Sequence, residues 1–161
     1  MRKVSELSIG EAATLPTVGI PWAAALNATA ECDEITVTLL TLDVVDDLLR
    51  LSGLLRVGRR PDVRVATIPS LELALPDGTP LPMLDAHVMP RGRIAWMSWT
   101  YERPAIVPQR LEGRISHIVM EFPGGRSARI DVSGPWDFSL LVRPPAPFEV
   151  GASSAGSIGR A

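Results

Sequence analysis

Along most of the chain apolar and polar residues alternate with a period of two, which is the signature of half-buried strands. The clearest stretch runs from Ile115 to Val132, where two alternating segments flank Pro123-Gly124-Gly125. That arrangement predicts a β-hairpin. Setting Phe122 opposite Ala128 places Met120 against Ile130 and Ile118 against Val132, so one face is wholly apolar. The same register puts Glu121 opposite Arg129 on the other face, a cross-strand pair of opposite charge. A slip of one residue would set Asp131 against Ile118 and Arg129 against Met120, which a buried face forbids. A three-residue loop fits this count, with Arg126 at the third position, where glycine is usual.

Other segments read in the same way. Ile35 to Leu42 carries Ile35, Val37 and Leu39 on one face and threonines on the other, followed by a connection over Asp43 to Asp47. Leu48 to Val57 admits a helix started by Asp46 or Asp47. The alternation of Leu49, Leu51, Leu55 and Val57 with Arg50, Ser52 and Arg56, and Gly53 in the middle, favour a strand. Val63 to Ile68 is a further strand, and Leu71 to Leu81 is a second hairpin around Pro76-Asp77-Gly78. Arg93 to Tyr101 is apolar on both faces, with Ile94 and Trp96 on one and Met97, Trp99 and Tyr101 on the other. Such a strand lies between layers or keeps one face for a partner. Glu102 to Gly113 reads as a loop, Gly134-Pro135 as a break, and Trp136 to Val142 as the last strand. Before Ile35, Val4, Leu7 and Ile9 suit a short edge strand, and Pro21 followed by the alanine-rich run from Trp22 to Ala30 suits a short helical turn. Three regions result: an N-terminal arm over 1–34, a β domain over 35–143, and a Pro/Gly/Ser-rich tail over 144–161.

Of the 15 prolines, those from Pro61 to Pro135 fall between these runs rather than within them. That spacing predicts an all-β antiparallel sandwich of eight to nine short strands, immunoglobulin-like or jelly-roll-like, or a barrel of similar strand count. The late Trp136-Asp137-Phe138 strand and the Pro-Asp-Gly turn resemble immunoglobulin-like accessory domains, although the Cys…Trp…Cys spacing of true immunoglobulin domains is absent. No function is carried across by this likeness.

Charge narrows the partners. A net charge of −2 gives no basic surface for nucleic acid or an anionic membrane. No apolar run is long enough to span a bilayer. Glu6 and Glu11 interrupt the start before an apolar leader can form, so a cytoplasmic protein is expected. With Cys32 as the single cysteine, no intrachain disulfide can form.

Candidate chemistry is sparse. His87 and His117 have no ligand partner at metal spacing, and no cofactor motif is present. Asp43, Asp46 and Asp47 read as a solvated turn rather than a calcium loop. Cys32 lies beside Asp33 and Glu34, which oppose thiolate formation. Asn27-Ala28-Thr29 matches a glycosylation sequon, a chance match without a secretory signal. Asp85 and His87 share a strand face and form an acid–imidazole pair that would still need a pocket and a nucleophile. Among the aromatics, Trp96, Phe122 and Trp136 are expected in the core. Trp99, Tyr101 and Arg103, with His117 facing away from the core, are expected to form a binding surface.

The leading expectation is a non-catalytic binding or assembly module that contacts a protein partner or a second copy of itself. The alternative is a small-ligand-binding barrel or barrel-like enzyme with Trp99, Tyr101, His87 and Asp85 lining a pocket. A third reading is a structural component of a larger particle.

Overall fold

In a computed structural model the chain forms nine strands and no helix among the described residues, 21–58, 63–122 and 128–143. Five of the strands, β1 (Trp22–Cys32), β2 (Ile35–Val45), β3 (Leu48–Val57), β6 (Met83–Arg91) and β7 (Ile94–Glu102), make one antiparallel sheet in the order β1-β2-β3-β7-β6. In the second sheet β8 (Arg110–Phe122) is central. It pairs with β9 (Ala128–Leu141) on one side and with the short β4 (Arg64–Val65) and β5 (Leu71–Ala74) on the other. The two sheets stay separate rather than closing into a barrel, so the sandwich expectation holds.

The register predicted for the late hairpin is the one observed. Phe122 pairs with Ala128, Met120 with Ile130, Ile118 with Val132 and Glu121 with Arg129. The charges sort differently, however. Glu121 Oε2 accepts from Arg64 Nε at 2.8 Å, whereas Arg129 Nε stands 4.0 Å from Oε1. Glu121 therefore takes its closer partner from β4. The turn itself, 123–127, lies outside the described residues.

Leu48–Val57 is a strand, as its alternation indicates. Trp22–Cys32, in contrast, is a strand and not a helical turn. Its alanines are good helix formers, but two turns of helix are marginal alone, and pairing along the whole of β2 supplies the tertiary support instead. Asn27, at φ 50°, sits in a bulge where Leu26 and Asn27 oppose Leu40. Asparagine tolerates that left-handed conformation better than most residues. Asp33 and Glu34 both have positive φ (50° and 66°), which makes the β1–β2 connection a two-residue turn of the type that matches strand twist. The segment Met83–Arg91 carries no clear alternation and is bounded by prolines, yet it forms β6. Of the loop expected over Glu102 to Gly113, only residues 103–109 lie between strands, because β7 includes Glu102 and β8 already begins at Arg110. Nor does Gly134-Pro135 end a strand: β9 runs through it with a register shift opposite Ser116.

The core lies between the sheets. Val37, Leu39, Leu42, Leu49, Leu51, Leu55, Met97, Trp99 and Tyr101 from one side meet Leu71, Leu73, Leu111, Ile115, Ile118, Trp136, Phe138 and Leu140 from the other. Gly53 occupies a core-facing position where a Cβ would stand 2.8 Å from the Thr38 carbonyl oxygen and 3.1 Å from Leu39 Cδ2. Absence of a side chain there leaves room for the Trp99 ring.

Three aromatic side chains carry hydrogen bonds across the interior. Trp99 Nε1–H donates to Pro69 O at 2.8 Å, Tyr101 Oη–H donates to Leu71 O, and Trp136 Nε1–H donates to Ile35 O at 2.9 Å. Each reaches a backbone carbonyl of the opposite sheet or its connection. A buried carbonyl without a partner costs about 1–3 kcal/mol, so these bonds fix how the sheets face each other.

Candidate binding surface

Burial decides which sequence candidates reach a ligand. Trp99 and Tyr101 are fully buried, and Trp96 is 49% exposed. The expected assignment of the two faces of β7 is therefore reversed: the Trp99/Tyr101 face looks into the sandwich and the Ile94/Trp96 face looks outward. The physical reason is continuity. Ala95, Met97, Trp99 and Tyr101 form an unbroken apolar row that can be dehydrated together, while the parity of Trp96 continues through Ser98, Thr100 and Glu102. That difference was present in the sequence and identifies the inner face without a structure.

Trp136 is buried, as expected, and Phe122 is partly buried against the core. Arg103 is half-buried, and its Nη1 donates to Asp46 O at 2.8 Å while its backbone N–H donates to Asp47 O. It clamps the β2–β3 turn and does not lie beside an exposed Trp99. His117 is exposed on β8, in the other sheet from β7. Trp99, Tyr101, Arg103 and His117 thus form no common surface.

The outer face of the five-stranded sheet offers a different group. Strand registers line up Met89, Trp96 and Leu54 in one cross-strand row. The next row holds His87, Ser98, Ser52 and Thr41, and the one after it Asp85, Thr100, Arg50 and Asp43. Met89 is 55% exposed and Leu54 is half-buried. Because Ser52 and Ser98 are small beside Trp96 and His87, a shallow, open depression of about 480 Å³ forms among Ser52, His87, Met89, Trp96 and Ser98.

The expected acid–imidazole pair is present at the rim. His87 Nε2 lies 2.8 Å from Asp85 Oδ2, and since a carboxylate only accepts, Nε2 carries a proton there; in the neutral imidazole Nδ1 is then an acceptor. Ser98 faces His87 across the strands, so the residue types of an acyl-transfer triad are adjacent. Three observations weigh against that chemistry. No hydrogen bond joins Ser98 to His87, and both members of the ion pair are largely exposed. In addition, β7 is paired on both sides, so its backbone N–H groups are committed to ladders and none is available for an oxyanion.

Strand β6 borders this face and is one of the two edge strands of its sheet, β1 being the other. The two-residue Gly92-Arg93 turn, with Gly92 at φ 66°, makes Arg91 and Ile94 the hydrogen-bonded closing pair. Alternation then directs the backbone groups of Ala86, Val88 and Pro90 away from β7. Pro90 has no N–H to offer, and the Ala86 N–H donates to Asp85 Oδ1 at 2.9 Å. Between Ala86 and Pro90, Val88 alone presents an outward donor, so the edge is poorly suited to adding another strand.

The outer face of the second sheet is polar. Arg114 makes two bonds to Asp137, from Nε at 2.7 Å and from Nη2 at 3.2 Å, with Glu72 in the same row. The Asp137 carboxylate holds the Arg114 guanidinium pKa above its ordinary value. No cluster of three metal-ligating side chains occurs among the described residues, and no helix there is long and apolar enough to cross a membrane. The chain matches no family model, curated protein or solved structure.

Proposed function

We propose that the protein is a non-catalytic β-sandwich binding or assembly module whose contact surface is the outer face of the five-stranded sheet. The observation that carries this reading is Trp96, half-exposed on a central strand between Met89 and Leu54. Indoles are enriched where surfaces are buried on binding, because one flat side chain removes a large apolar area from water at little entropic cost. An edge blunted by Pro90 and Asp85 directs association to the face rather than to strand addition. The depression beside His87 keeps open the small-ligand form of the same reading.

The test is solution mass by light scattering for wild type and for Trp96→Ala/Met89→Ala. A wild-type mass above 17.3 kDa that falls to the monomer in a folded double variant supports assembly through this face. A wild type that is monomeric at all concentrations removes self-association and leaves ligand binding as the role of the face.

A further inference from the structure

We infer that the ligand of this surface is a neutral saccharide, stacked by one ring face on Trp96 with its hydroxyls on the His87–Ser98–Ser52 row. The inference rests on the Trp96 face being a contact surface and names the chemistry that fits it.

Polarity changes in steps across the face. The apolar row of Met89, Trp96 and Leu54 is narrow, adjoined on one side only by Ile94, which stands between Arg91 and Arg56. Directly beside it run an imidazole and three hydroxyl side chains, His87, Ser98, Ser52 and Thr41. The depression follows the border between these rows, lined by Trp96 and Met89 on one side and by His87, Ser98 and Ser52 on the other. A pyranose ring divides in the same way, into a C–H face that packs on an indole and a rim of hydroxyls that both donate and accept. Serine hydroxyls do both as well, and the His87 ring, bonded through Nε2–H to Asp85, turns Nδ1 to the ligand as an acceptor when neutral and a donor when charged.

Other ligand classes match less well. A protein hot spot needs an apolar centre ringed by polar groups, whereas here Trp96 and Met89 open on one side directly onto the His87–Ser98–Ser52 row. An extended peptide adding to the sheet meets Pro90 and the occupied Ala86 N–H at the only nearby edge. An anionic ligand would meet no Arg or Lys in the lining of the depression: Arg91 and Arg56 lie in the row beyond Trp96, and Arg50 shares its row with Asp85 and Asp43. A hydroxyl-rich ligand without net charge satisfies all three rows.

The experiment is native electrophoresis of the full chain through gels holding mixed-linkage β-glucan, xylan, galactomannan, galactan or dextran. Tryptophan-fluorescence titration with chitin oligosaccharides completes the panel. At least one member is expected to retard or quench wild type. Trp96→Ala should weaken that binding by roughly tenfold or more, the loss typical of a hot-spot aromatic. His87→Ala should weaken it several-fold, and Arg114→Ala, on the other sheet, should leave it unchanged. A wild type that responds to no member overturns the saccharide assignment, as does binding that survives Trp96→Ala. If wild type ignores the panel but loses solution mass on Trp96→Ala, the face is a contact between copies: the saccharide falls and the broader reading stands. Loss of neither property removes both.

Discussion

Trp99 Nε1 stands 2.8 Å from the carbonyl oxygen of Pro69. The indole belongs to β7 of one sheet, and the carbonyl lies between β4 and β5 of the other. Trp99→Ala would remove both the ring and the bond, and large aromatic truncations in cores cost about 3–5 kcal/mol. Trp99→Phe keeps most of the volume but orphans the carbonyl, for about 1–3 kcal/mol. Trp96→Ala, three residues away on β7 but on the outer face, should change stability by about 0.5 kcal/mol or less, as surface substitutions do. Chemical denaturation of the three variants measures the contrast. Equal losses for Trp99→Ala and Trp96→Ala would contradict the orientation of β7.

Tyr101 is the single tyrosine of the chain, and burial pushes its phenol far above the ordinary value of 10.0. The folded state therefore keeps a proton that the unfolded state releases. Stability from this group is complete below pH 10.0 and is lost as pH rises beyond it, with a slope approaching about 1.4 kcal/mol per pH unit while the native phenol stays protonated. Tyrosinate absorbance reads this one side chain directly. It should appear together with unfolding, and Tyr101→Phe should flatten the alkaline limb of the stability curve. Absorbance that rises near the ordinary pKa while the protein remains folded would contradict the burial of the hydroxyl.

Gly53 and Gly92 are needed for different reasons, and alanine distinguishes them. At Gly53 the new Cβ meets the Thr38 carbonyl and Leu39, and overpacking of this kind costs about 1–3 kcal/mol. At Gly92 no atom lies within 4 Å of the new Cβ, but φ is 66°, and a left-handed alanine costs roughly 1–2 kcal/mol. Gly92→Asn should recover most of that second loss, whereas no side chain should be tolerated at Gly53. Melting temperatures of Gly53→Ala, Gly92→Ala and Gly92→Asn check the ordering.

Arg114 and Asp137 form the best-aligned ion pair on the surface, yet both side chains are more than half exposed. Screening and side-chain entropy hold such pairs to about 0–1 kcal/mol. Arg114→Ala should lie within that range and shrink further at high salt. A loss of several kcal/mol, insensitive to salt, would show that the outer face of the second sheet is buried by another surface.

Much of the fold was legible because strand parity is a hard constraint. The Phe122–Ala128 register followed from one apolar face and one charge pair, since a single slip would have buried Asp131 or Arg129. Parity also separated Trp96 from Trp99, but it assigns residues to opposite faces without saying which face is inside. That depended on Ser98, Thr100 and Glu102 sharing the parity of Trp96, a signal weaker than the aromatic side chains that dominated the reading. Trp22–Cys32 was misjudged because alanine's helix propensity is local and its partner, β2, is not. Strand β6 was missed because Pro82 and Pro90 look like punctuation, although a proline whose nitrogen faces solvent costs an edge strand nothing. The depression beside Trp96 lay beyond the sequence for another reason: it gathers Ser52, His87 and Ser98 from three strands whose adjacency is a property of topology.

Pro90 and the Asp85–Ala86 contact bear on how far any assembly can grow. Sheets with open edges propagate, because each added strand exposes a new template, and the product is a fibre of indefinite length. Here the edge next to the indole ends the ladder, so a contact made through Trp96 does not extend the sheet past β6. Exchanging Pro90 for a residue with an N–H, and freeing Ala86 by Asp85→Ala, would lift that terminus. The β6 edge could then accept further strands.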